Sequence, residues 1–145
     1  MMDIIFDVDG TLMNIEHRRH FVVQRPKDFD AFRAATKDDT PKDEIFAIAK
    51  AMKAAGHRII ISSGRNKSQM DITVQQINSQ GLEFDAIFMR SNRDFRQDYV
   101  VKEAMLVKMI AEGFFPIMAV DDRQQVVDMW RRNGLTVLQV DEGDF

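Results

Sequence analysis

Five short apolar runs recur along the chain, at 4–6, 58–61, 86–89, 117–120 and 135–140. Each is too short for a helix and most are rich in Ile and Val, so each predicts a buried strand. Between them apolar residues fall at helical spacing: Ile45, Ile48, Ala49 and Met52; Met70, Val74 and Ile77; Val100, Ala104, Val107 and Ala111; Val126, Val127 and Trp130. Nearly continuous apolar strands alternating with helices predict a parallel sheet covered on both faces and joined by right-handed crossovers, a three-layer α/β/α domain. Punctuation supports the helix ends. Thr40 is placed to be an N-cap, with Pro41 at the first helical position and Asp43 in the first turn, and Ser68 with Asp71 repeats that pattern. Gly56, Gly81, Gly113 and Gly134 fall where helices should stop.

One segment breaks the alternation. Residues 13–39 are long for a loop and contain EHRRHF and DFDAFRAA, with Phe29, Phe32 and Arg33 at helical spacing. They predict a small helical cap inserted after the first strand, within a single domain spanning 1–145.

Composition narrows the function classes. A length of 145 residues suits one domain, and 45% hydrophobic with 30% charged residues is a globular balance. A net charge of −3 excludes the uniformly basic surface of a protein that coats nucleic acid, so any such contact must be local. The stretch 16–33 is one candidate, with five Lys and Arg against three acids. The absence of Cys excludes disulfides, thiolate nucleophiles and Cys-ligated metals. With no apolar window near the ~20 residues of a membrane span and no export signal at the start, a cytoplasmic location is the expectation.

Ligands of such sheets bind beyond the carboxyl ends of the strands, and three runs end in chemistry there. The first leads into Asp7, Val8, Asp9, Gly10 and Thr11, the second into Ser62, Ser63, Gly64 and Arg65, and the fourth into Asp121, Asp122 and Arg123. Asp7 and Asp9, two apart in extended chain, should leave the same face toward one point. Gathering four carboxylates costs about 4 kcal/mol of repulsion per pair at ~4 Å and an effective dielectric of ~20, so a divalent cation is expected between them. Oxygen-only ligands favour Mg²⁺.

At these residues the chain resembles a known family. IIFDVDGTL is similar to the first motif of the haloacid dehalogenase superfamily of phosphotransferases, an apolar strand followed by Asp, any residue, Asp, any residue, Thr. Ser63, Lys102 and the pair Asp121–Asp122 follow in the family's order. SSGR, DYVVKEAM, AVDDRQQVVDMWRRNG and the ending GDF further resemble the 3′-phosphatase domains of T-even bacteriophage polynucleotide kinase/phosphatases, a likeness running from Asp3 to Phe145. The cap departs from that pattern except at Arg18.

The resemblance implies a role for each matched position. Asp7 is the nucleophile that becomes an aspartyl-phosphate, and Asp9 is the general acid and base. Mg²⁺ is held by Asp7, the backbone carbonyl of Asp9, Asp121 and Asp122. Ser63 and Lys102 act on the phosphate oxygens, and the substrate-binding set comprises Thr11, which also fixes the turn, with Arg18, Gly64, Arg65, Arg90 and Arg96. His17 and His20 read as structural, Trp130 and Met129 as core, and Phe21 or Phe29 as core with base stacking the alternative. The implied activity is a Mg²⁺-dependent 3′-phosphatase for DNA or RNA ends or nucleotides. A 5′-nucleotidase, another small-molecule phosphatase and a non-catalytic end-binding module remain alternatives. The sequence has no G-x-x-x-x-G-K-[ST], so no kinase activity is expected in this chain, and a separate kinase or ligase is a possible partner. No oligomeric state follows from these patterns.

Overall fold

The computed structural model describes residues 1–143, so Asp144 and Phe145 of the GDF ending lie outside the described residues. The chain runs β1 (Asp3–Asp7), β2 (Met13–Asn14), α1 (Glu16–Val23), α2 (Phe29–Ala34), β3 (Thr40–Pro41), α3 (Asp43–Ala54), β4 (Arg58–Asn66), α4 (Met70–Asn78), β5 (Ala86–Arg90), α5 (Asp98–Ala111), β6 (Pro116–Arg123), α6 (Gln124–Arg132) and β7 (Thr136–Gly143). The five expected runs form one parallel sheet in the order β5-β4-β1-β6-β7.

Period-two alternation on the central strands sorts the core onto two faces. Ile4, Phe6, Ile59 and Ile61 pack with Ile45, Phe46 and Ala49 of α3 and Ile77 of α4. Ile5, Ile60 and Ala119 pack with Val101, Met105, Leu106 and Met109 of α5 and Val126, Met129 and Trp130 of α6. The chain first winds outward from β1 to β4 and β5, then returns to the far side of β1 for β6 and β7. Reversing direction while keeping one handedness of crossover forces the connecting helices onto the opposite face. The connections therefore part between β1 and β6, opening a crevice at the carboxyl ends of those two strands.

Two helix starts differ from the sequence expectation. Thr40 and Pro41 do not open a helix: they form β3, antiparallel to β2 with Met13 opposite Pro41 and Asn14 opposite Thr40. Helix α3 begins at Asp43, with Asp43 and Glu44 in its first turn. The reason is tertiary, since this two-stranded ladder ties the two ends of the 13–39 insertion together at its base. Nor is Ser68 a cap; Asn66 accepts its N–H at 3.1 Å and opens a short 3₁₀ turn before α4. The insertion itself is helical, as expected, with α1, α2 and a 3₁₀ turn at 35–38. Gly56, Gly81, Gly113 and Gly134 do follow helices and adopt positive φ.

Strands β4 and β6 run further than the apolar runs, because their ladders resume after an irregularity, Asn66 opposite Arg90 and Arg123 opposite Gly143. Ser63–Arg65 and Asp121–Arg123 are thus held in extended backbone rather than at the first turn of a helix.

At the opposite end of β1, buried Asp3 receives Arg58 Nε at 2.6 Å, Arg58 Nη2 at 2.7 Å and the Phe115 N–H at 2.7 Å. Burial pushes its carboxyl up, but the Arg58 hydrogen bond and the Phe115 amide outweigh burial and hold it below the usual aspartate value. A carboxyl lowered on folding contributes stability that is complete above its unfolded pKa and fades as pH falls through the lowered one. Urea denaturation should therefore show Asp3→Asn less stable than wild type near neutrality, with the gap closing below about pH 4.

Candidate active site

The crevice between β1 and β6 holds a cluster of buried charge. Asp7, Asp121 and Asp122 each offer a carboxylate oxygen, and these atoms all lie within 4.8 Å of one another. Lys102, one turn into α5 and buried, donates from Nζ to Asp7 Oδ1 at 2.7 Å and to Asp121 Oδ2 at 3.1 Å. The Thr11 hydroxyl lies 2.8 Å from Asp7 Oδ2 and 3.4 Å from Asp122 Oδ1. Asp121 is further fixed by the indole N–H of Trp130 at 3.1 Å and the Asp122 N–H at 2.9 Å. Trp130, which the sequence marked as core filler, is fully buried and also holds an acid in place.

Burial and the charge of Asp121 push the Asp7 carboxyl well up, against the pull of Lys102. Asp122 is raised for the same two reasons, burial and Asp121. Burial alone would lower Lys102, but Asp121 and Asp7 overcome it and hold the ammonium protonated. One ammonium thus faces three carboxylates, an arrangement able to hold a divalent cation, and its all-oxygen donor set suits a hard one.

Asp9 is not part of that cluster. The alternation that should have aligned it with Asp7 ends because β1 stops at Asp7 and the chain turns, with the N–H groups of Thr11 and Met13 on the Val8 carbonyl. Gly10 makes the turn at φ +82°, and an added Cβ would strike the Asp122 carboxylate. The Asp9 carboxylate instead meets two arginines, Arg65 Nη2 at 2.7 Å and Arg18 Nη2 at 3.0 Å. Burial raises its carboxyl, yet Arg65 and Arg18 outweigh burial and hold it low.

Both guanidinium groups converge on Asp39. Arg18 donates from Nε at 2.8 Å and from Nη2 at 2.8 Å, Arg65 from Nη2 at 2.9 Å, and His17 Nε2 lies 2.7 Å away. Arg65 also reaches Thr73 and Gln76 of α4. Side-chain exposure is 0% for Asp39, 1% for Arg18 and 2% for Arg65 against 25% for Asp9, so of these four Asp9 is the one open to solvent. Sequence reading missed Asp39, whose only sequence signal is a second acid at the end of the cap segment.

Of the remaining expected residues, Ser63 is buried and its Oγ accepts the Arg65 N–H at 3.1 Å. Gly64 leaves no room for a side chain, since a Cβ would strike the Asp98 carboxylate. Arg90 is not directed at the acid cluster. Its donors go to the carbonyls of Gly64 at 2.9 Å, Asp94 at 2.9 Å and Arg96 at 2.6 Å, and to Asp98 at 2.5 Å. Arg96 is exposed and paired to Asp94 at 2.7 Å, a bond that holds Asp94 at about 2. Asp98, also unmarked in the sequence, gathers Arg90 and Arg123 at the start of α5.

Residues 2–145 match the family described as the polynucleotide kinase PNKP phosphatase domain. The chain belongs to that family of haloacid dehalogenase-type phosphatases. Among solved structures, two titled as the Pnkp1/Rnl/Hen1 complex and the Pnkp1/Rnl/Hen1 RNA repair complex match at 30% identity and TM-score 0.84, over 99% and 100% of this chain. The chain spans less than half of those neighbours, 47% and 44%. A haloacid dehalogenase-like hydrolase from Streptococcus pneumoniae shares the fold at 14% identity and TM-score 0.69, over 96% of this chain and 84% of its own. The domain is therefore a phosphatase with an acidic, cation-competent centre. Among the described residues no helix is long and apolar enough to cross a membrane.

Asp39 generates a test. Asp39→Ala leaves two buried guanidinium groups short of a counter-charge, and its unfolding free energy should fall by about 3–5 kcal/mol in urea titrations. Asp39→Asn keeps the shape but frees the arginines, and kcat/KM for phosphate release should drop at least about tenfold.

Proposed function

We propose that the chain is a Mg²⁺-dependent phosphomonoesterase that removes 3′-phosphates from nucleic-acid ends or nucleotides through an aspartyl-phosphate on Asp7, and that it carries no kinase activity of its own. The observation that carries this reading is the adjacency of two opposite charge groups in one crevice. Asp7 sits in the acid cluster with Lys102 and Thr11, and Asp9 sits at the mouth with Arg18 and Arg65.

In the first step Asp7 attacks phosphorus, the bond from phosphorus to the leaving 3′-oxygen breaks, and Asp9 gives that oxygen a proton. In the second, water attacks the phosphoryl group, Asp9 takes its proton, and Asp7 leaves as a carboxylate. Lys102 and Thr11 orient Asp7 throughout. Arg18, Arg65 and Ser63 supply donors for the phosphate oxygens. Mg²⁺, held by Asp7, Asp121 and Asp122 with the Asp9 carbonyl as a further ligand, would offset the negative charge that nucleophile and phosphate share.

The arginine pair explains how a carboxyl held low can act as an acid. An incoming phosphate competes for the donors that Arg18 and Arg65 now give to Asp9. Each hydrogen bond it takes removes a reason for Asp9 to stay ionised, and its proton affinity rises as substrate binds. The same group, once the leaving oxygen has its proton, is the ionised base that the second step needs.

The nucleic-acid substrate draws on the family description and on the RNA repair context in a neighbour's title, and the 3′ position draws on the resemblance of the SSGR, DYVVKEAM and AVDDRQQVVDMWRRNG stretches to 3′-phosphatase domains. A kinase or ligase acting on the same ends would work alongside this domain, and a cytoplasmic site of action fits such repair. A panel of 3′- and 5′-phosphorylated mono- and oligonucleotides tests the reading. Phosphate release should favour the 3′-substrates, stop on chelation of divalent cations, return with Mg²⁺, and fall at least about 1,000-fold in Asp7→Asn. Equal or greater release from 5′-phosphates would turn the assignment to a 5′-nucleotidase.

A further inference from the structure

Among the described residues the most exposed large apolar side chain is Phe95, at 89%. It lies between β5 and α5, in the loop 91–97, which opens on the same end of the sheet as the acid cluster. This loop is held by a built anchor. Arg90 Nη1 takes the carbonyls of Asp94 and Arg96, the residues on either side of Phe95, while Arg90 Nε takes the Gly64 carbonyl within the site strand. The Arg96 side chain is clamped on Asp94 at 2.9 and 2.7 Å, and Asn92 Oδ1 accepts the Ser68 N–H at 3.0 Å. A loop pinned at each flank of an outward aromatic presents that ring in a fixed place, at little cost in conformational entropy when something covers it.

The surroundings say what covers it. Arg93 and Lys67 are exposed, and neither side chain makes a hydrogen bond or ion pair among the described residues. The hydrogen bond from Ser68 to Asn92 brings the neighbourhoods of these two cations together. Residues 90–98 carry three Arg against two Asp, a local excess of positive charge on a chain of net charge −3. Phe95 is three residues from the start of α5, and Lys102 lies one turn further along. The ring's backbone is thus within about 16 Å of the Lys102 backbone, a span of a few nucleotides from a bound terminal phosphate. An aromatic face beside free cations fits a single strand of nucleic acid, whose bases stack and whose phosphates are anionic. A purely apolar partner would leave Arg93 and Lys67 without counter-charges.

We infer that the loop 91–97 is the strand-binding platform of this phosphatase, with Phe95 stacking on a base upstream of the terminal 3′-phosphate and Arg93 and Lys67 tracking the backbone. The inference rests on the 3′-phosphatase reading above. It makes Phe95 a residue that favours polynucleotides over mononucleotides, with no part in the bond-breaking steps.

The test compares kcat/KM for Phe95→Ala and wild type on a 3′-phosphorylated ten-nucleotide single strand and on a nucleoside 3′-monophosphate. The oligonucleotide value should fall roughly 5- to 30-fold, through KM, while the mononucleotide value stays within about twofold. Phe95→Trp should keep the oligonucleotide activity, and its added exposed indole should be quenched by an unphosphorylated ten-nucleotide strand. Equal losses on both substrates, no loss on either, or no quenching would overturn the platform while leaving the phosphatase reading intact. If sedimentation shows a wild-type dimer that Phe95→Ala abolishes, and the oligonucleotide rate is unchanged, the ring covers a second copy of the chain instead. Absence of phosphate release by wild type from either 3′-substrate would defeat the underlying reading, and the platform with it.

Discussion

The ammonium of Lys102 between Asp7 and Asp121 is the contact on which the rest of the site depends. Three carboxylates that a solvated surface would keep apart are gathered in the interior, and one buried cation from α5 joins β1 to β6 through them. The pair distances of 2.7 and 3.1 Å make the attraction large where the dielectric is low, yet one positive charge leaves negative charge uncancelled. Burial together with that residue of repulsion keeps Asp7 and Asp122 above their ordinary values, and the uncancelled charge makes the pocket receptive to a second cation. The indole of Trp130 and the hydroxyl of Thr11 fix the acids as neutral donors, which orient a carboxylate without discharging it.

Beside this centre stands a group built in the opposite sense. Arg18 from α1 and Arg65 from β4 share Asp39, whose carboxylate is fully buried, and turn further donors toward Asp9. Because Arg18 belongs to the helical insertion and Arg65 to the sheet, Asp39 also locks the one to the other. Asp9 lies on the border between the groups and is the member that solvent reaches. A group at such a border has its proton affinity set by whichever neighbour is engaged, which suits a residue that must both give and accept a proton. The arginine pair is thus as much a device for tuning Asp9 as a grip on phosphate.

The crevice exists because the sheet changes its direction of growth at β1. Helices α3 and α4 cover one face and α5 and α6 the other, so the connections leaving β1 and β6 separate and leave the strand ends uncovered. The ladder between β2 and β3 closes the base of the insertion and returns the chain to the body through the Lys42 N–H bonded to the Leu12 carbonyl at 2.8 Å. On the other rim, Arg90 spends its donors on backbone carbonyls and Asp98, which gives the loop before α5 its shape.

The amino-acid sequence determined the five strands of the parallel sheet, the core helices, the insertion and the acids of the centre, because each is written as a local pattern. Apolar runs of a few residues, helical spacing and carboxylates at strand ends all depend on neighbours close in the chain. Asp7, Asp121 and Asp122 were legible for that reason, whereas Lys102 was legible only through the order of the family's motifs. Tertiary structure alone decided what depends on residues far apart. The end of β1 at Asp7 sent Asp9 to the arginines, and pairing with Met13 and Asn14 made Thr40 and Pro41 a strand. Asp39 acquired its place only when Arg18 and Arg65, separated by 47 positions, met across it. Likewise Arg90 and Arg96 carry the same charge in the sequence as Arg18 and Arg65. Which arginines face the crevice and which hold a loop is set by the carboxylates and carbonyls that folding brings within reach, and no local pattern encodes that choice.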